Sequence, residues 1–255
     1  MTLFKSLVIA IAMYSKIPMP KVEWSEKNMK YALCFFPVVG VLEGGIFLAA
    51  GSLLLRLGAG ELFRAGVLCV IPILVTGGIH MDGFLDTMDA LSSYQTRERK
   101  LEILKDSHTG AFAIIGCGVY LILYLGGVSA LAGQNAFALA GLGFVISRSL
   151  SGLSLVWFQS AKRQGLAYTF SSAAHKTVTR WALAVLLTAA AAAAVALEPA
   201  AGSVMVLCGL AVFGFYRYMA YREFGGVTGD LAGFFLQVCE LAMLYGVVIT
   251  EAWKG

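Results

Sequence analysis

The chain is dominated by long apolar stretches that alternate with short polar connections. The apolar segments run over residues of about 31–54, 62–79, 109–131, 136–158, 181–197, 202–219 and 232–251. Stretches of about 18 or more apolar residues are long enough for a helix to cross a bilayer core of roughly 30 Å. The pattern therefore predicts about seven membrane-spanning helices.

A further apolar segment at the N-terminus, residues 3–14, is short for a simple span. The sequence that follows it lacks the small-residue pattern of a signal-peptide cleavage site. An interfacial helix, a re-entrant helix and a crossing helix that stops at Pro18 all fit this segment. The pattern alone does not choose among them.

Composition supports the membrane assignment. Of the 255 residues, 59% are hydrophobic and 13% are charged, whereas a soluble domain has about 25% charged residues. The five cysteines occur singly within apolar segments, as expected of small core residues. The predicted fold is all-α, a single integral membrane domain over residues 1–255 that forms a polytopic helical bundle.

Lysine and arginine are concentrated in alternate connections. The positive-inside rule places these connections in the cytoplasm, whereas the intervening ones hold only Arg56 and Arg64. The same alternation places polar residues of about 80–108, 159–180 and 220–231 on the cytoplasmic face. We expect the active site to be built from these three segments.

Three aspartates in the first of these segments have helical spacing. Asp82, Asp86 and Asp89 stand at i, i+4 and i+7, so they share one stripe of a helix. Like charges at this spacing destabilise a helix unless a cation lies among them. Carboxylate oxygens are ligands that suit Mg²⁺ or Mn²⁺. The sequence thus favours a metal site over an ordinary solvated loop.

A second short helix follows, with Thr96 as its N-cap and Lys105 at its end. A hairpin of the two helices would return Asp106 to the three aspartates. His80 does not share the aspartate stripe, and a structural histidine explains it as well as a ligand does.

A glycine-rich segment precedes the last apolar stretch. Gly225, Gly226, Thr228 and Gly229 would present backbone N–H groups at the start of a helix, which is a favourable setting for phosphate. The alternative is a flexible loop in which Asp230 is a plain N-cap.

Three charged residues lie within apolar segments, where a charge is costly and usually functional. Glu240 is a candidate metal ligand. Arg148 is either a phosphate clamp or an arginine that reaches the membrane interface. Glu43 has no assigned role and could face an internal cavity.

Four motifs carry a family resemblance. Residues 76–89 read TGGIHMDGFLDTMD, residues 97–107 read RERKLEILKDS, residues 36–40 begin with Phe-Pro and end with Gly, and residues 225–233 read GGVTGDLAG. Together with Glu240, these motifs resemble the cobalamin synthase (adenosylcobinamide-GDP ribazoletransferase) family nearly from end to end.

The resemblance implies an enzyme of the bacterial cytoplasmic (inner) membrane that requires Mg²⁺. Such an enzyme joins adenosylcobinamide-GDP to α-ribazole or its 5′-phosphate, and it releases GMP with adenosylcobalamin or its 5′-phosphate. Small-molecule substrates and membrane lipid are the expected partners. No nucleic-acid partner is expected, and a homo-oligomer is left open.

The resemblance also implies roles for individual residues. Asp82, Asp86 and Asp89 would bind metal, and Asp106 would be a further ligand or the general base. The remaining candidates are Asp230 and Glu240 for a second metal or the incoming hydroxyl, and Arg148 and Arg222 for the pyrophosphate.

Two other functions remain open at the level of sequence. A CDP-alcohol phosphotransferase also uses clustered aspartates, but the spacing of Asp82 and Asp86 does not reproduce its motif. A transporter of divalent cations or corrinoids would explain Glu43 and Glu240, although the polar residues crowd on one face.

Overall fold

The computed structural model describes residues 2–253, and all regular elements in that range are helical. In chain order they are α1 (Thr2–Tyr14), α2 (Glu26–Met29), a 3-10 turn (Ala32–Phe35), α3 (Phe36–Arg56), α4 (Glu61–Thr76), α5 (Ile79–Ser92), α6 (Arg97–Ile103), α7 (Ala111–Ser129), α8 (Gly133–Trp157), α9 (Leu166–Ala173), α10 (Lys176–Leu197), α11 (Pro199–Met219), a π-helical segment (Ala220–Phe224) and α12 (Gly229–Ala252). The all-α fold is confirmed.

Six helices in residues 2–253 are long and apolar enough to cross a membrane, and α4 with α5 makes a seventh if the pair counts as one span. The prediction of about seven spans is confirmed in this sense. Helices α3, α7, α8, α10, α11 and α12 correspond to six of the seven apolar segments. The protein is therefore a multi-pass membrane protein.

Helix α8 forms the centre of the bundle. It packs against α3, α10, α11 and α12, and almost its whole length is buried. The five cysteines are all free and are buried or partly buried. They are apolar packing residues, as predicted.

The second apolar segment differs from the prediction. We expected a continuous span over 62–79, but α4 ends at Thr76 and α5 leaves it at an angle of 93°. Gly77 and Gly78 form the bend, with φ values of 66° and 80°. Glycine adopts this left-handed conformation at little cost, so the two glycines turn the chain and start the aspartate helix in a new direction.

Helix α1 is too short to cross a bilayer by itself. Its 13 residues extend about 20 Å, compared with a hydrocarbon core of roughly 30 Å. It packs against α2, α3 and the 3-10 turn, and the backbone N–H of Lys16 donates to the carbonyl of Val75 (2.8 Å). Helix α1 is therefore held against the end of α4.

The three polar segments contact one another at one end of the bundle. Lys100 of α6 forms an ion pair with Glu223 of the π-helical segment (2.5 Å). The Lys162 Nζ donates to the carbonyl of Leu101 (2.6 Å). Residues 159–161 pair with Val227 through backbone hydrogen bonds. The polar connections thus form one layer above the apolar helices.

Candidate active site

Two glycines bring the aspartate helix α5 against the start of α12. A Cβ on Gly83 would lie 2.7 Å from the carbonyl oxygen of Asp230, and one on Gly233 would lie 2.8 Å from the carbonyl oxygen of His80. Any larger residue would push the helices apart. This close approach sets Asp82, one residue before Gly83, beside Asp230.

The carboxylates of α5 do not all have the same surroundings. Asp82 is exposed and Asp86 is half-buried. The negative charges of Asp82, Asp230 and Asp89 all act on Asp86. A cation among these groups would relieve their repulsion, so the chemistry of the donor set fits a hard divalent metal.

Asp89 has backbone partners of its own. Its Oδ2 accepts from the N–H of Gly110 (2.6 Å) and its Oδ1 accepts from the N–H of Ala113 (2.8 Å). The first N–H groups of a helix have no partner within that helix, and a carboxylate there is favourable. Asp89 thus caps α7, and this differs from its expected place among the metal ligands.

Asp106 also differs from the prediction, which expected a hairpin of two helices to bring it back to the three aspartates. Thr96 does cap α6, accepting from the N–H of Arg99 (3.5 Å), and α6 ends at Ile103. The side chain of Asp106 is 56% exposed, and its Oδ1 accepts from the N–H of His108 (3.0 Å). This hydrogen bond lowers the pKa of Asp106. Its contacts are with His108 rather than with the three aspartates.

Glu240 and Arg148 contact each other inside the bundle instead of facing the aspartates. The Nη1 atom of Arg148 donates to Glu240 Oε1 (2.7 Å), and its Nη2 atom donates to Glu43 Oε2 (2.6 Å). Ser147 Oγ also donates to Glu240 (2.8 Å). Glu240 lies ten residues beyond Asp230 on α12, which is about 15 Å along the helix.

This buried triad of Glu43, Arg148 and Glu240 corrects two predictions. Glu240 is too far along α12 to share an ion with Asp230, and the guanidinium of Arg148 is occupied by carboxylates. The ion pairs with Arg148 give Glu43 and Glu240 a structural role, so neither carboxylate is by itself evidence for transport. The triad joins α3, α8 and α12.

The start of α12 is capped by Thr228. Its Oγ1 accepts from the N–H of Leu231 (3.2 Å), which is the ordinary bond of an N-cap threonine. Thr228, Gly229 and Asp230 all line a cavity between α12 and α5. The predicted phosphate-binding segment therefore reaches the cavity at these three residues.

The rest of that segment has a packing role. Gly225 and Gly226 form the turn before α12, and Gly226 lies against the backbone of Gln159. Arg222 is exposed and donates to the hydroxyl of Tyr218 (2.6 Å). None of these residues lines the cavity, which differs from the expectation that Gly225, Gly226 and Arg222 hold phosphate.

The cavity has a volume of about 470 Å³, within the range of roughly 300–1,000 Å³ for small-molecule sites. Its charged lining residues are Asp82, Lys105, Lys162 and Asp230, here called the charged mouth, and all four are exposed or partly exposed. Partial burial and the nearby Lys105 lower the pKa of Lys162, whereas Asp230 raises it. Carboxylates and amines thus face one opening, as a site for metal and phosphate requires.

The deeper part of the cavity is different. It is lined by Tyr14, Phe36, His80, Ser151 and Leu155, here called the apolar floor, and all five are buried. Sequence reasoning did not assign Tyr14 or Ser151 to the site. Tyr14 belongs to the helix whose placement was left open, and Ser151 resembled any other serine of a packed span.

No three His, Cys, Asp or Glu side chains within residues 2–253 converge closely enough to enclose a metal ion. Mg²⁺ usually keeps several waters and takes one or two carboxylates together with substrate phosphates. An open pair such as Asp82 and Asp86, with Asp230 opposite, is compatible with that mode of binding.

A bundle of apolar helices with a charged cavity at one end defines a polytopic membrane protein with a small-molecule site. The family model described as cobalamin-5-phosphate synthase matches residues 6–248. The chain belongs to this family, whose members are enzymes of cobalamin assembly.

Relatives in several bacteria support the assignment. A protein of Lachnoclostridium phytofermentans named adenosylcobinamide-GDP ribazoletransferase is 49% identical over 246 residues, 96% of this chain and 94% of the relative. Proteins of the same name from Desulfitobacterium hafniense and Clostridium botulinum (strain Alaska E43) are 33% and 30% identical, over 95% and 97% of this chain and 96% and 98% of the relatives. No solved structure is significantly similar to the chain.

Proposed function

We propose that this protein transfers the cobinamide phosphate of adenosylcobinamide-GDP to α-ribazole or its 5′-phosphate. The products are adenosylcobalamin or its 5′-phosphate, and GMP. The observation that carries the proposal is the charged mouth, which sets carboxylates beside lysines in a chain of the cobalamin-5-phosphate synthase family.

We assign Asp82 and Asp86 to the binding of Mg²⁺, with Asp230 opposite them. When bound, Mg²⁺ would neutralise charge on the phosphates of the substrate. The spacing of Asp82 and Asp86 supports this assignment because both project from the same face of α5. Asp89 has a structural role in this scheme, since both of its oxygens already cap α7.

The remaining groups of the mouth orient the reacting atoms. A ribose hydroxyl attacks the phosphorus attached to the cobinamide arm, the bond from that phosphorus to the oxygen of GMP breaks, and GMP leaves. We assign to Asp230 the role of orienting the hydroxyl and accepting its proton. Lys105 and Lys162 would balance the charge of the diphosphate, and the N-terminus of α12 favours an anion nearby.

The placement of the site follows from the distribution of positive charge. The basic connections lie at the same end of the bundle as the cavity, and the positive-inside rule directs that end to the cytoplasm. We therefore propose a multi-pass protein of the bacterial cytoplasmic membrane whose active site faces the cytoplasm.

The test is GMP release by the purified protein in lipid nanodiscs. GMP and a cobalamin product should appear only when adenosylcobinamide-GDP, α-ribazole or its phosphate, and Mg²⁺ are all present. Omission of each component in turn is the control. GMP release without the nucleoside would indicate hydrolysis instead of transfer, and folded protein that releases no GMP would contradict the proposal.

A further inference from the structure

We infer that the apolar floor of the cavity is the subsite for the benzimidazole base of the ribazole nucleoside, with Ser151 and His80 contacting its free ring nitrogen. This inference rests on the proposed function. It assigns the deep part of the cavity to one of the two substrates and leaves the mouth to the phosphates.

The first observation is a pair of buried polar atoms without partners. Ser151 Oγ and His80 Nε2 make no hydrogen bond, although both residues line the cavity and are at least nine-tenths buried. Native proteins satisfy about 90% or more of such groups. Two exceptions in one cavity wall indicate that a ligand supplies the missing partner.

Other serines of α8 show that the unpartnered hydroxyl of Ser151 is unusual for this helix. Ser149 and Ser154 each donate to a backbone carbonyl of their own helix, at 2.7 Å in both cases. This is how serines in buried helices usually satisfy their hydroxyl groups. Ser151 lies on the same helix and does not make this bond, so its hydroxyl has no partner within the protein although the residue lines the cavity.

The second observation is the aromatic and aliphatic character of the floor. The rings of Tyr14 and Phe36 lie 4.2 Å apart, and Phe36 meets the ring of His80 edge-on at 6.0 Å. Leu155 completes the wall. Such walls favour a flat apolar ring system, since aromatic rings pack well in offset or edge-on arrangements.

The chemistry of the candidate ligands separates them. A phosphate has more acceptor oxygens, and a sugar more hydroxyl groups, than the two unpaired atoms of the apolar floor could bond, so either would lose hydration there. Guanine carries several polar groups on its edge, more than the two free atoms could satisfy. A corrin ring with its side chains is far broader than a nucleoside and would not enter a cavity of about 470 Å³.

A dimethylbenzimidazole base meets both requirements. It is flat and apolar, and it has one unsubstituted ring nitrogen that accepts a hydrogen bond. That nitrogen has a single lone pair, so the hydroxyl of Ser151 and Nε2 of His80, when it carries the proton, share one acceptor. With the base on the floor, the ribose extends toward the mouth, where its hydroxyl meets Asp230.

The experiment compares two nucleosides: α-ribazole, and the same nucleoside with the ring nitrogen replaced by C–H, which has an indole base. Equilibrium binding to protein in nanodiscs is measured by titration calorimetry, without adenosylcobinamide-GDP. Wild type should bind α-ribazole about tenfold more tightly, because the indole leaves a buried donor unpaired. Ser151→Ala and His80→Phe should each reduce this preference, and the double variant should abolish it.

Ser149→Ala is the matched control, because Ser149 is equally buried on α8 but is bonded to the carbonyl of Val145. It should keep the tenfold preference. The inference is overturned if wild type does not discriminate between the nucleosides, or if both single variants keep the full preference. Failure of the proposed function would appear separately, as absence of GMP release by wild type with all substrates present.

Discussion

At the charged mouth, Asp82 and Asp230 line a cavity together with Lys105 and Lys162, whereas deep in the bundle Glu43 and Glu240 share one arginine. The second group is buried and held by direct ion pairs of 2.6 and 2.7 Å. The carboxylates of the first group are exposed or partly exposed, and the negative charge of Asp82 acts on Asp230. Carboxylates that are ion-paired inside the bundle hold helices together, whereas carboxylates that line the cavity are available to a ligand.

The largest expected effect comes from breaking the buried triad. Arg148→Met leaves Glu43 and Glu240 as uncompensated charges in a low-dielectric interior. We expect the free energy of unfolding to fall by about 3–5 kcal/mol. Thermal unfolding of the variant and of wild type in the same lipid would measure this loss.

A neutral version of the triad is the control. In Arg148→Met combined with Glu43→Gln and Glu240→Gln, no charge is left buried, so most of the stability should return. GMP release by this folded triple variant should stay within a few-fold of wild type. If it is stable but loses activity by more than about a hundredfold, the triad takes part in the reaction and the contrast with the mouth is wrong.

The next effect concerns the mouth. Asp82→Asn removes one charge from the proposed metal site, and we expect GMP release to fall by about 10²–10³-fold, or about 3–4 kcal/mol. Stability should not fall, because the substitution reduces repulsion among the aspartates. Glu98→Gln, an exposed carboxylate on α6, serves as control. Equal losses of activity in the two variants would contradict a specific role for Asp82.

The fold and part of the site could be predicted from the sequence for clear physical reasons. The length of each apolar segment indicates a membrane span. The intervals of four and three residues between Asp82, Asp86 and Asp89 place these aspartates on one helix face. The same spacing cannot tell which carboxylate faces a ligand. Asp89 differs from its neighbours only because α7 begins beside it, and no local pattern records that tertiary contact.

The error on Glu240 has the same origin. A carboxylate in a membrane segment is costly and suggests function, but an arginine on another helix satisfies it equally well. The pairing of Arg148 and Glu240 joins residues 92 positions apart. The apolar surroundings of Arg148 and Glu240 in the sequence predict that each charge is costly, but they do not predict that the two side chains pair. The apolar floor was missed similarly, since it is assembled from α1, α3, α5 and α8.

A smaller effect tests the geometry that brings α5 to α12. Gly83→Ala forces the backbone to shift near Asp230, and overpacking of this kind costs about 1–3 kcal/mol of stability. Because Asp82 moves with the helix, GMP release should fall by about tenfold, and the Mg²⁺ concentration needed for half-maximal activity should rise. Gly118→Ala on α7 is the control, since nothing lies within 4 Å of that added methyl group. Unchanged activity in Gly83→Ala would show that the spacing of the two helices is not critical.

The smallest expected effect tests whether Lys162 contacts the diphosphate directly or only adds positive charge to the surface around the charged mouth. Lys162 lines the cavity and its Nζ is anchored to the carbonyl of Leu101, whereas Lys176 is exposed outside it. Lys162→Met should raise the KM for adenosylcobinamide-GDP about fivefold, or about 1 kcal/mol, with little change in kcat. Lys176→Met removes the same charge and reports only long-range attraction, which salt screens. If both variants raise KM equally, and if high salt abolishes the increase of each variant over wild type, Lys162 acts as part of a basic surface. It then does not contact the diphosphate.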